Sequence, residues 1–281
     1  MSVTVAATAP SSYLYYRHTL PVRIMHWANV VSLTILLMSG LMIFNAHPSL
    51  DWGHTSDTGK PVLQITSRVA TDGTGQLAGI TRVFGYEFNT TGLLGASTGP
   101  EGKPSDVAFP HWMTIPGFYS LADARAWHFF FAWLFVINGV AYVLHSAASR
   151  HLKRDLLPTT TDWRGIGGSI KDHLLFKHPQ GEDAKRYNVL QKLAYIAVIF
   201  VLLPGIIVAG WAMSPWLNSI FPGWVDLLGG RQSARTLHFI FAWLLVVFVL
   251  IHVFEVIISG LWNHLRSMIT GHYRITGRHH E

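Results

Sequence analysis

Four histidines in apolar sequence are the residues of this chain best suited to binding a metal. Three of them follow an arginine at one spacing, and these Arg-x-x-His motifs are Arg23 with His26, Arg125 with His128, and Arg235 with His238. The fourth, His252, follows His238 by fourteen residues. An unsatisfied polar group in hydrocarbon is costly, so each imidazole needs a partner. Metal ligation would supply that partner.

The depth of each histidine indicates which of them meet. His128 and His238 each lie in the first turn of a helix that enters the membrane from one side, whereas His26 enters from the other side. Fourteen helical residues span about 21 Å and nearly four turns, so His252 lies on the face of His238 and at the depth of His26. Two facing imidazoles without carboxylate or thiolate match six-coordinate haem iron better than zinc. The sequence therefore predicts two bis-His b-type haems, an outer one on His128 and His238 and an inner one on His26 and His252.

The motif arginines have a predicted role of their own. A residue three positions before a ligand lies on the same helix face. Its guanidinium can form charge-assisted hydrogen bonds with a haem propionate at the membrane surface. We therefore expect Arg23, Arg125 and Arg235 to bind propionates. A fifth histidine, His145, lies about 100° away from the face of His128 and is interpreted as an interface residue.

These motifs lie in four long stretches that are almost free of charged residues. About 20 apolar residues cross a bilayer core about 30 Å thick as a helix. The stretches run over about 24–45, 126–146, 193–213 and 236–261, the last one continuing past Glu255. We therefore predict an all-α membrane protein, a four-transmembrane-helix bundle that forms a single domain over residues 1–281, with a long periplasmic loop between helices 1 and 2.

The distribution of charge predicts the orientation of the bundle. The loop of about 147–192 carries nine Lys and Arg; with the two termini that side has fourteen, against seven in the two opposite loops. The positive-inside rule then puts both termini in the cytoplasm and the bundle in a bacterial inner membrane. The basic loop is interpreted as a solvated segment near anionic lipid, not as a nucleic-acid site. Because the chain has no Cys, disulfides, thiolate metal sites and c-type haem attachment are excluded.

The outside loop of about 46–122 is too long to be a simple connection. It holds 11 of the 25 Gly, interspersed with aromatic residues. This composition predicts a turn-rich folded cap that has room for short strands. We expect the cap to dock a periplasmic partner; a lid that only shields the bundle is the alternative.

Several motifs, in order along the chain, give a resemblance to a known family. RIMHW in the first stretch, RxxHF in the second, YNVLQK before the third and SMITGHYR after the fourth resemble the bacterial cytochrome b561 and NiFe-hydrogenase cytochrome b family. The cytochrome b subunit of membrane formate dehydrogenase is a relative. The resemblance covers all four stretches. It implies two b haems with the same histidine pairing, and electron transfer between a periplasmic partner and membrane quinone.

The resemblance also implies a quinone site. In this family the YN-x-x-QK segment borders the quinone pocket near the inner haem, so Asn188 is expected to hydrogen-bond a quinone oxygen, and Gln191 is a second candidate. Capping of the following helix by Asn188 is the alternative. Glu255, three residues after His252, is either a proton relay or a carboxylate that reaches the interface.

The leading hypothesis for function is a di-haem electron-transfer subunit of a respiratory oxidoreductase complex. It would link the quinone pool to a periplasmic redox protein such as a molybdenum oxidoreductase or hydrogenase. The alternative is a self-contained cytochrome b561 that acts as a superoxide:quinone oxidoreductase. A haem-free transporter with histidine proton relays fits the composition but not the paired depths. The partner, the direction of electron flow and the oligomeric state, a homo-oligomer included, are left open by the sequence.

Overall fold

The computed structural model describes residues 12–56, 59–70, 75–99, 102, 104–175, 185 and 187–276. These residues form two compact units. The first unit comprises the chain up to Trp27, Val140–Val201 and the chain from Val246, and the second comprises Ala28–Gly139 and Leu202–Leu245. The boundary between the units therefore falls inside each of the four long apolar segments.

Most of the described chain is helical, because an apolar helix satisfies its backbone groups within its own segment. The helices are α1 (Leu20–Asn45), α2 (Leu121–Ala148), α3 (Thr160–Arg164), α4 (Ile166–Leu174), α5 (Val189–Ala197), α6 (Leu203–Ala212), α7 (Pro215–Ile220), α8 (Arg231–Ile258) and α9 (Leu261–Thr270). Among the described residues, four segments are long and apolar enough to cross a membrane, namely Leu20–Asn45, Leu121–Ala148, Val189–Ala212 and Arg231–Ile258. Each of them coincides with a predicted span to within a few residues.

Two of the spans depart from a regular continuous helix. In the third span a π-helical turn over Val198–Leu202 joins α5 to α6 just before Pro204, where the missing N–H and the ring interrupt regular helical bonding. The fourth span was expected to run to residue 261, but α8 ends at Ile258 and α9 begins at Leu261. Gly260, at φ 113°, separates these two helices. L side chains rarely adopt this φ, so the break depends on glycine.

The segment between α1 and α2 contains strands. The strands of the described residues are β1 (Ser12–Tyr16), β2 (Ser49–Leu50), β3 (Leu63–Val69), β4 (Leu77–Val83), β5 (Tyr86–Asn89), β6 (Gly95–Thr98), β7 (Pro104–Val107) and β8 (His272–Thr276). Strands β2, β3, β4 and β5 form an antiparallel sheet in that order, and β6 pairs with β7. The description all-α therefore holds for the spans and not for this segment, which folds as a cap with short strands.

One hydrophobic core joins these strands to the helices of the second unit. Its buried members are Leu41, Phe44, Leu50, Ile65, Ala108 and Phe109. From α8, Phe239 packs against this core with its ring centre 5.0 Å from that of Phe44. The side chain of Asn45 also exchanges hydrogen bonds of 3.0 and 2.7 Å with the backbone of Phe109. The core thus fixes α1 and α8, the helices that contribute to the site described below.

In the first unit the two ends of the described chain pair with each other. Strand β1 lies antiparallel to β8, with Ser12 opposite Thr276. The last turn of α9, which leads into β8, is held by α1. There the guanidinium of Arg23 donates to the carbonyl of Ile269, and the indole N–H of Trp27 donates to the carbonyl of Met268 at 3.2 Å.

Candidate functional site

His128 of α2 and His238 of α8 face each other in the second unit and are called the 128–238 pair. Their ring centroids are 6.2 Å apart, and the ring planes are inclined by 65°. Nδ1 of His128 lies 3.0 Å from Oγ of Ser39 on α1. Nδ1 of His238 lies 2.9 Å from the carbonyl oxygen of Ile206 on α6. Each ring is therefore held by a hydrogen bond to a neighbouring helix.

These hydrogen bonds determine which ring nitrogen carries the proton. The Ser39 hydroxyl donates to the carbonyl of Ile35 at 2.7 Å, so its oxygen accepts from Nδ1–H of His128. The carbonyl of Ile206 can only accept, so Nδ1 of His238 also carries a proton. Both Nε2 atoms consequently keep a lone pair for a metal.

A glycine of a neighbouring helix lies against each ring of this pair. A Cβ on Gly40 would lie 3.3 Å from Cε1 of His128, and one on Gly210 would lie 3.2 Å from Cε1 of His238. Both distances are shorter than a relaxed carbon contact of about 3.5–4.0 Å. A side chain at either position would therefore displace the ring.

His26 of α1 and His252 of α8 form the 26–252 pair in the first unit. Their centroids are 6.4 Å apart and their planes are inclined by 65°. The ring of Trp27 meets His26 edge-on at 5.5 Å, and the ring of Phe248 stacks on His252 at 5.9 Å and 16°. Neither imidazole forms a hydrogen bond with another residue in the part of the chain that the structure describes. Aromatic packing, rather than hydrogen bonding, surrounds this pair.

The spacing of both pairs fits one metal ion between two axial imidazoles. Metal–nitrogen bonds of about 2.0 Å and a ring radius of about 1.1 Å give an expected centroid separation of about 6.2 Å. The observed separations are 6.2 and 6.4 Å. Across the described ranges, no three His, Asp or Glu side chains converge as a metal site, so each pair is a two-imidazole donor set. This set suits the axial positions of haem iron, since the porphyrin supplies the remaining ligands.

Two of the motif arginines differ in how far their guanidinium groups are engaged. Arg23 donates to the carbonyl of Ile269 at the C-terminal end of α9, which is a favourable place for a positive charge. Arg125 is exposed, and its guanidinium lies 5.6 Å from the centre of the Phe129 ring. Within the described ranges the guanidinium of Arg125 donates no hydrogen bond, whereas Arg23 has one nitrogen committed to α9.

The third motif arginine, Arg235, anchors the start of α8 to the chain that follows α1. Its guanidinium donates to the carbonyl of Ser49 at 2.9 Å and to the carbonyl of His47, and it lies 5.4 Å from the centre of the Phe44 ring. Next to it, the hydroxyl of Thr236 donates to the carbonyl of Asp51 at 2.7 Å. The motif spacing did not predict this structural role.

Asn188 and Gln191 together cap the start of α5. Oδ1 of Asn188 accepts from the N–H of Gln191 at 2.8 Å, and Oε1 of Gln191 accepts from the N–H of Asn188 at 3.3 Å. This reciprocal pattern is a capping box, so the alternative role of Asn188 is the one observed. The NH2 groups of both amides form no hydrogen bond within the described ranges. They therefore remain available as donors to a ligand.

Two contacts between charged or ionisable side chains lie in the first unit. Nζ of Lys192 donates to Asp162 at 2.8 Å. Burial raises the pKa of Asp162, but hydrogen bonds from Lys192 and Thr159 outweigh it and hold that pKa below its usual value. Oε1 of Glu255 lies 3.6 Å from Nε2 of His173. The carboxylate of Glu255 thus has a titratable partner, which is compatible with either role expected for it.

The sequence of the chain also matches a known family. The family model for prokaryotic cytochrome b561 matches residues 17–271. The chain belongs to this family. It is therefore an integral membrane b-type cytochrome, and the family implies haem b as its cofactor.

Curated relatives of this cytochrome are named as subunits of redox enzymes. The putative protein-methionine-sulfoxide reductase subunit YedZ1 of Azospira oryzae is 27% identical over 266 residues, which cover 93% of this chain and 100% of that protein. The probable Ni/Fe-hydrogenase B-type cytochrome subunit of Cupriavidus necator is 28% identical over 52% of this chain and 65% of its own length. The subunit of the same name from Rhodobacter capsulatus is 21% identical over 92% and 80%, respectively. No solved structure matches the chain significantly.

Sequence reasoning identified the histidines of this cytochrome but missed the residues that hold their rings. Ser39 is a fully buried hydroxyl in an apolar helix, and Gly40 and Gly210 lie inside helices where glycine is unfavourable. Such residues need a bonding or packing reason, so they carried a signal that could have been used. Ile206 acts through its backbone carbonyl, and its side chain carries no signal.

Proposed function

We propose that this cytochrome binds two haems b, one at the 128–238 pair and one at the 26–252 pair, and transfers electrons between a periplasmic redox partner and membrane quinone. The observation that carries the proposal is the separation of the two ring pairs, 6.2 and 6.4 Å, which matches two axial imidazoles on one iron. The two-imidazole donor set also supports haem over a mixed-ligand metal site.

The residues of the chain would determine how each haem is held. At the 128–238 pair, Ser39 and Ile206 keep the proton on Nδ1, so that each Nε2 keeps a lone pair for the iron. The glycines beside these rings leave the imidazoles room to keep that orientation. Bound haem iron would supply one-electron redox chemistry, whose potential depends on ligands, hydrogen bonds and burial.

The cap between α1 and α2 is the surface that we assign to the periplasmic partner. Its exposed aromatic side chains include Phe84, Tyr86 and Trp112, which are 72%, 74% and 73% exposed. Phe84 has φ 47° in the turn between β4 and β5, a conformation unusual for a bulky residue. Exposed aromatics are typical of protein interfaces. The names of the relatives, subunits of a reductase and of hydrogenases, support a redox partner. The excess of Lys and Arg in the loop of about 147–192 and the termini supports the cytoplasmic side for both termini.

The quinone is assigned to the start of α5. The NH2 groups of Asn188 and Gln191 can donate to a quinone oxygen while their carbonyl oxygens cap the helix. Neutral amides suit this task because their charge does not change while the headgroup takes up electrons and protons.

Haem content tests the central assignment. Purified protein should show b-type bands in a reduced-minus-oxidised spectrum and two haems per chain. His252→Leu should lower the haem content to one, because the 26–252 pair loses an axial ligand. His145→Leu is the matched control, since His145 belongs to neither pair, and it should keep both haems. Two retained haems in His252→Leu would contradict the assignment.

Quinone reactivity tests the second part of the proposal. Asn188→Asp keeps the capping oxygen but removes the NH2 donor, so α5 should stay intact while haem oxidation by a short-chain quinone slows. Unchanged rates in this variant and in Gln191→Glu would exclude these amides from the quinone site. Fast haem reduction by superoxide in the purified chain, with no copurifying subunit, would instead favour the self-contained superoxide:quinone oxidoreductase.

A further inference from the structure

A cavity of about 310 Å³ opens at the junction of α8 and α9 in the first unit. It is lined by Gly260, Leu261, Trp262, Asn263, Arg266 and Arg274. These residues belong neither to the histidine pairs nor to the capping box of α5. The cavity therefore has no role in the function proposed above.

The chemistry of the cavity is that of an anion site. Its lining includes Arg266 and Arg274, and none of the lining residues is Asp or Glu. Neither guanidinium forms a hydrogen bond or ion pair with another residue in the described ranges. Guanidinium donors match phosphate oxygens in geometry as well as in charge. A phosphate that contacts both arginines would satisfy donors that otherwise have no acceptor in the described structure.

The walls of the cavity are fixed by hydrogen bonds. The side chain of Asn263 donates to the carbonyl of Arg274 and accepts from its N–H, both at 2.8 Å. This exchange ties α9 to β8, so the two arginines lie on elements that are linked directly. At its other end α9 is held by Arg23 and Trp27 of α1. A preformed site loses less conformational freedom when it binds a ligand.

The exposed face of α9 is typical of a helix at the membrane surface. Trp262 is 79% exposed and Ile269 is 64% exposed, and Arg266 lies between them at helical spacing. The opposite face is buried at Ser267. The helix also follows the fourth candidate span after a break of two residues. Tryptophan and aliphatic residues beside arginine favour the boundary between hydrocarbon and headgroups.

We propose that this cavity binds the phosphate of an anionic phospholipid, with Arg266 and Arg274 on the phosphate oxygens and Trp262 at the level of the headgroup. A free phosphate ion shares the same chemistry at the arginines. The lipid is favoured because Trp262 and Ile269 present apolar surface that acyl chains cover and a free ion does not. The proposal does not depend on haem or quinone.

Lipid titration of the purified holoprotein in detergent tests this site. Dioctanoyl phosphatidylglycerol and dioctanoyl phosphatidylcholine are added separately, and bound lipid is counted by native mass spectrometry. We expect the anionic lipid to bind about tenfold more tightly. The double variant Arg266→Gln and Arg274→Gln should lose this preference. The control double variant, Arg164→Gln and Lys171→Gln, removes the same charge from exposed positions outside the cavity and should keep it.

Three results would overturn the proposal. They are equal binding of the two lipids by the wild type, equal loss of preference in both double variants, and displacement of the lipid by inorganic phosphate at the same concentration. The last result would assign the cavity to a free anion. An unchanged far-UV circular dichroism spectrum and an unchanged Tm show that each variant is folded. If the double variant does not fold, Arg274→Gln alone, at an exposed position, should lower the preference about threefold.

Discussion

The 128–238 and 26–252 pairs have nearly equal ring separations, but they are held in different ways. In the 128–238 pair each Nδ1 has a hydrogen-bond acceptor, a hydroxyl for one ring and a carbonyl for the other, and each ring has a glycine beside it. In the 26–252 pair the rings pack against Trp27 and Phe248. Equal spacing is thus reached through two kinds of support.

The comparison shows that one kind of contact can orient an imidazole ring without changing how strongly its nitrogen binds a metal. Aromatic packing orients an imidazole without making it a stronger donor to a metal. A hydrogen bond from Nδ1–H orients the ring and also raises its basicity, which favours oxidised iron. With haem at both pairs, this contribution lowers the potential at the 128–238 pair relative to the 26–252 pair.

The largest effect should come from filling the space beside one pair. Gly210→Val or Gly40→Val places atoms where even a Cβ would lie 3.2 or 3.3 Å from an imidazole. We expect the haem content, measured as the pyridine haemochromogen, to fall from two to one. Gly139→Val is the matched control, because a Cβ at Gly139 would have nothing within 4 Å. If both haems survived in the first two variants, the glycines would have no part in the difference between the pairs.

Removal of the Arg235 guanidinium should affect stability. Arg235→Gln loses the hydrogen bonds to the carbonyls of Ser49 and His47. Hydrogen bonds to charged groups contribute about 1.5–3 kcal/mol, so we expect the Tm to fall by about 4–8 °C. Arg231→Gln, an exposed position one turn earlier in α8, should change the Tm little. A shifted haem spectrum with an unchanged Tm would instead point to the propionate role expected from the motif.

Removal of the Ser39 hydroxyl should change the redox potential of one haem without unfolding the protein. Ser39→Ala removes the acceptor of Nδ1–H of His128, which weakens that ligand. We expect one of the two haem potentials to rise by about 20–40 mV in a redox titration. Ser32→Ala is the control, because Ser32 is also fully buried on α1 but its hydroxyl has no hydrogen-bond partner within the described ranges. Equal shifts of the potential in both variants would show that the hydrogen bond between Ser39 and His128 does not set it.

The smallest effect is expected on the Tm when Asp162 is changed, a residue of the unit that contains the 26–252 pair. Hydrogen bonds from Lys192 and Thr159 hold the pKa of Asp162 below its usual value. A lowered carboxyl pKa stabilises the fold above the unfolded-state pKa, near 4, and this stabilisation is lost as the pH falls through the folded-state pKa. Asp162→Asn should therefore lower the Tm by about 1–3 °C at pH 7, in line with a pair that contributes 1 kcal/mol or less.

The pH dependence of the Tm distinguishes the ion pair of Lys192 and Asp162 from an effect of packing. The difference in Tm between wild type and Asp162→Asn should shrink as the pH falls below about 4. Asp172→Asn, at an exposed position on α4, should match the wild type throughout. A difference that stayed constant from pH 7 to pH 3 would show that the ion pair is not its source.

The sequence predicted the elements whose signal is local. Four apolar stretches predicted the spans, and the spacing of fourteen positions from His238 to His252 predicted which histidines meet. Capping of α5 by Asn188 was the alternative expectation, and its signal is local, because a capping box involves residues only three positions apart.

What the sequence did not predict depends on contacts between distant segments. The spacing of Arg23 and Arg235 places them one turn before a histidine, but their acceptors are carbonyls of Ile269 and Ser49. No local pattern predicts where a backbone carbonyl from another element will lie. The helix break at Gly260 could have been anticipated, since Ser259 and Gly260 interrupt an otherwise apolar stretch.

The ladder between β1 and β8 makes the two ends of the described chain depend on each other. Ser12 to Tyr16 find their only strand partners of the described chain in His272 to Thr276. Deletion of either strand therefore leaves the backbone N–H and C=O groups of the other strand without their ladder partners. Truncation at both ends should remove little more stability than truncation at one, so the two deletions should not be additive.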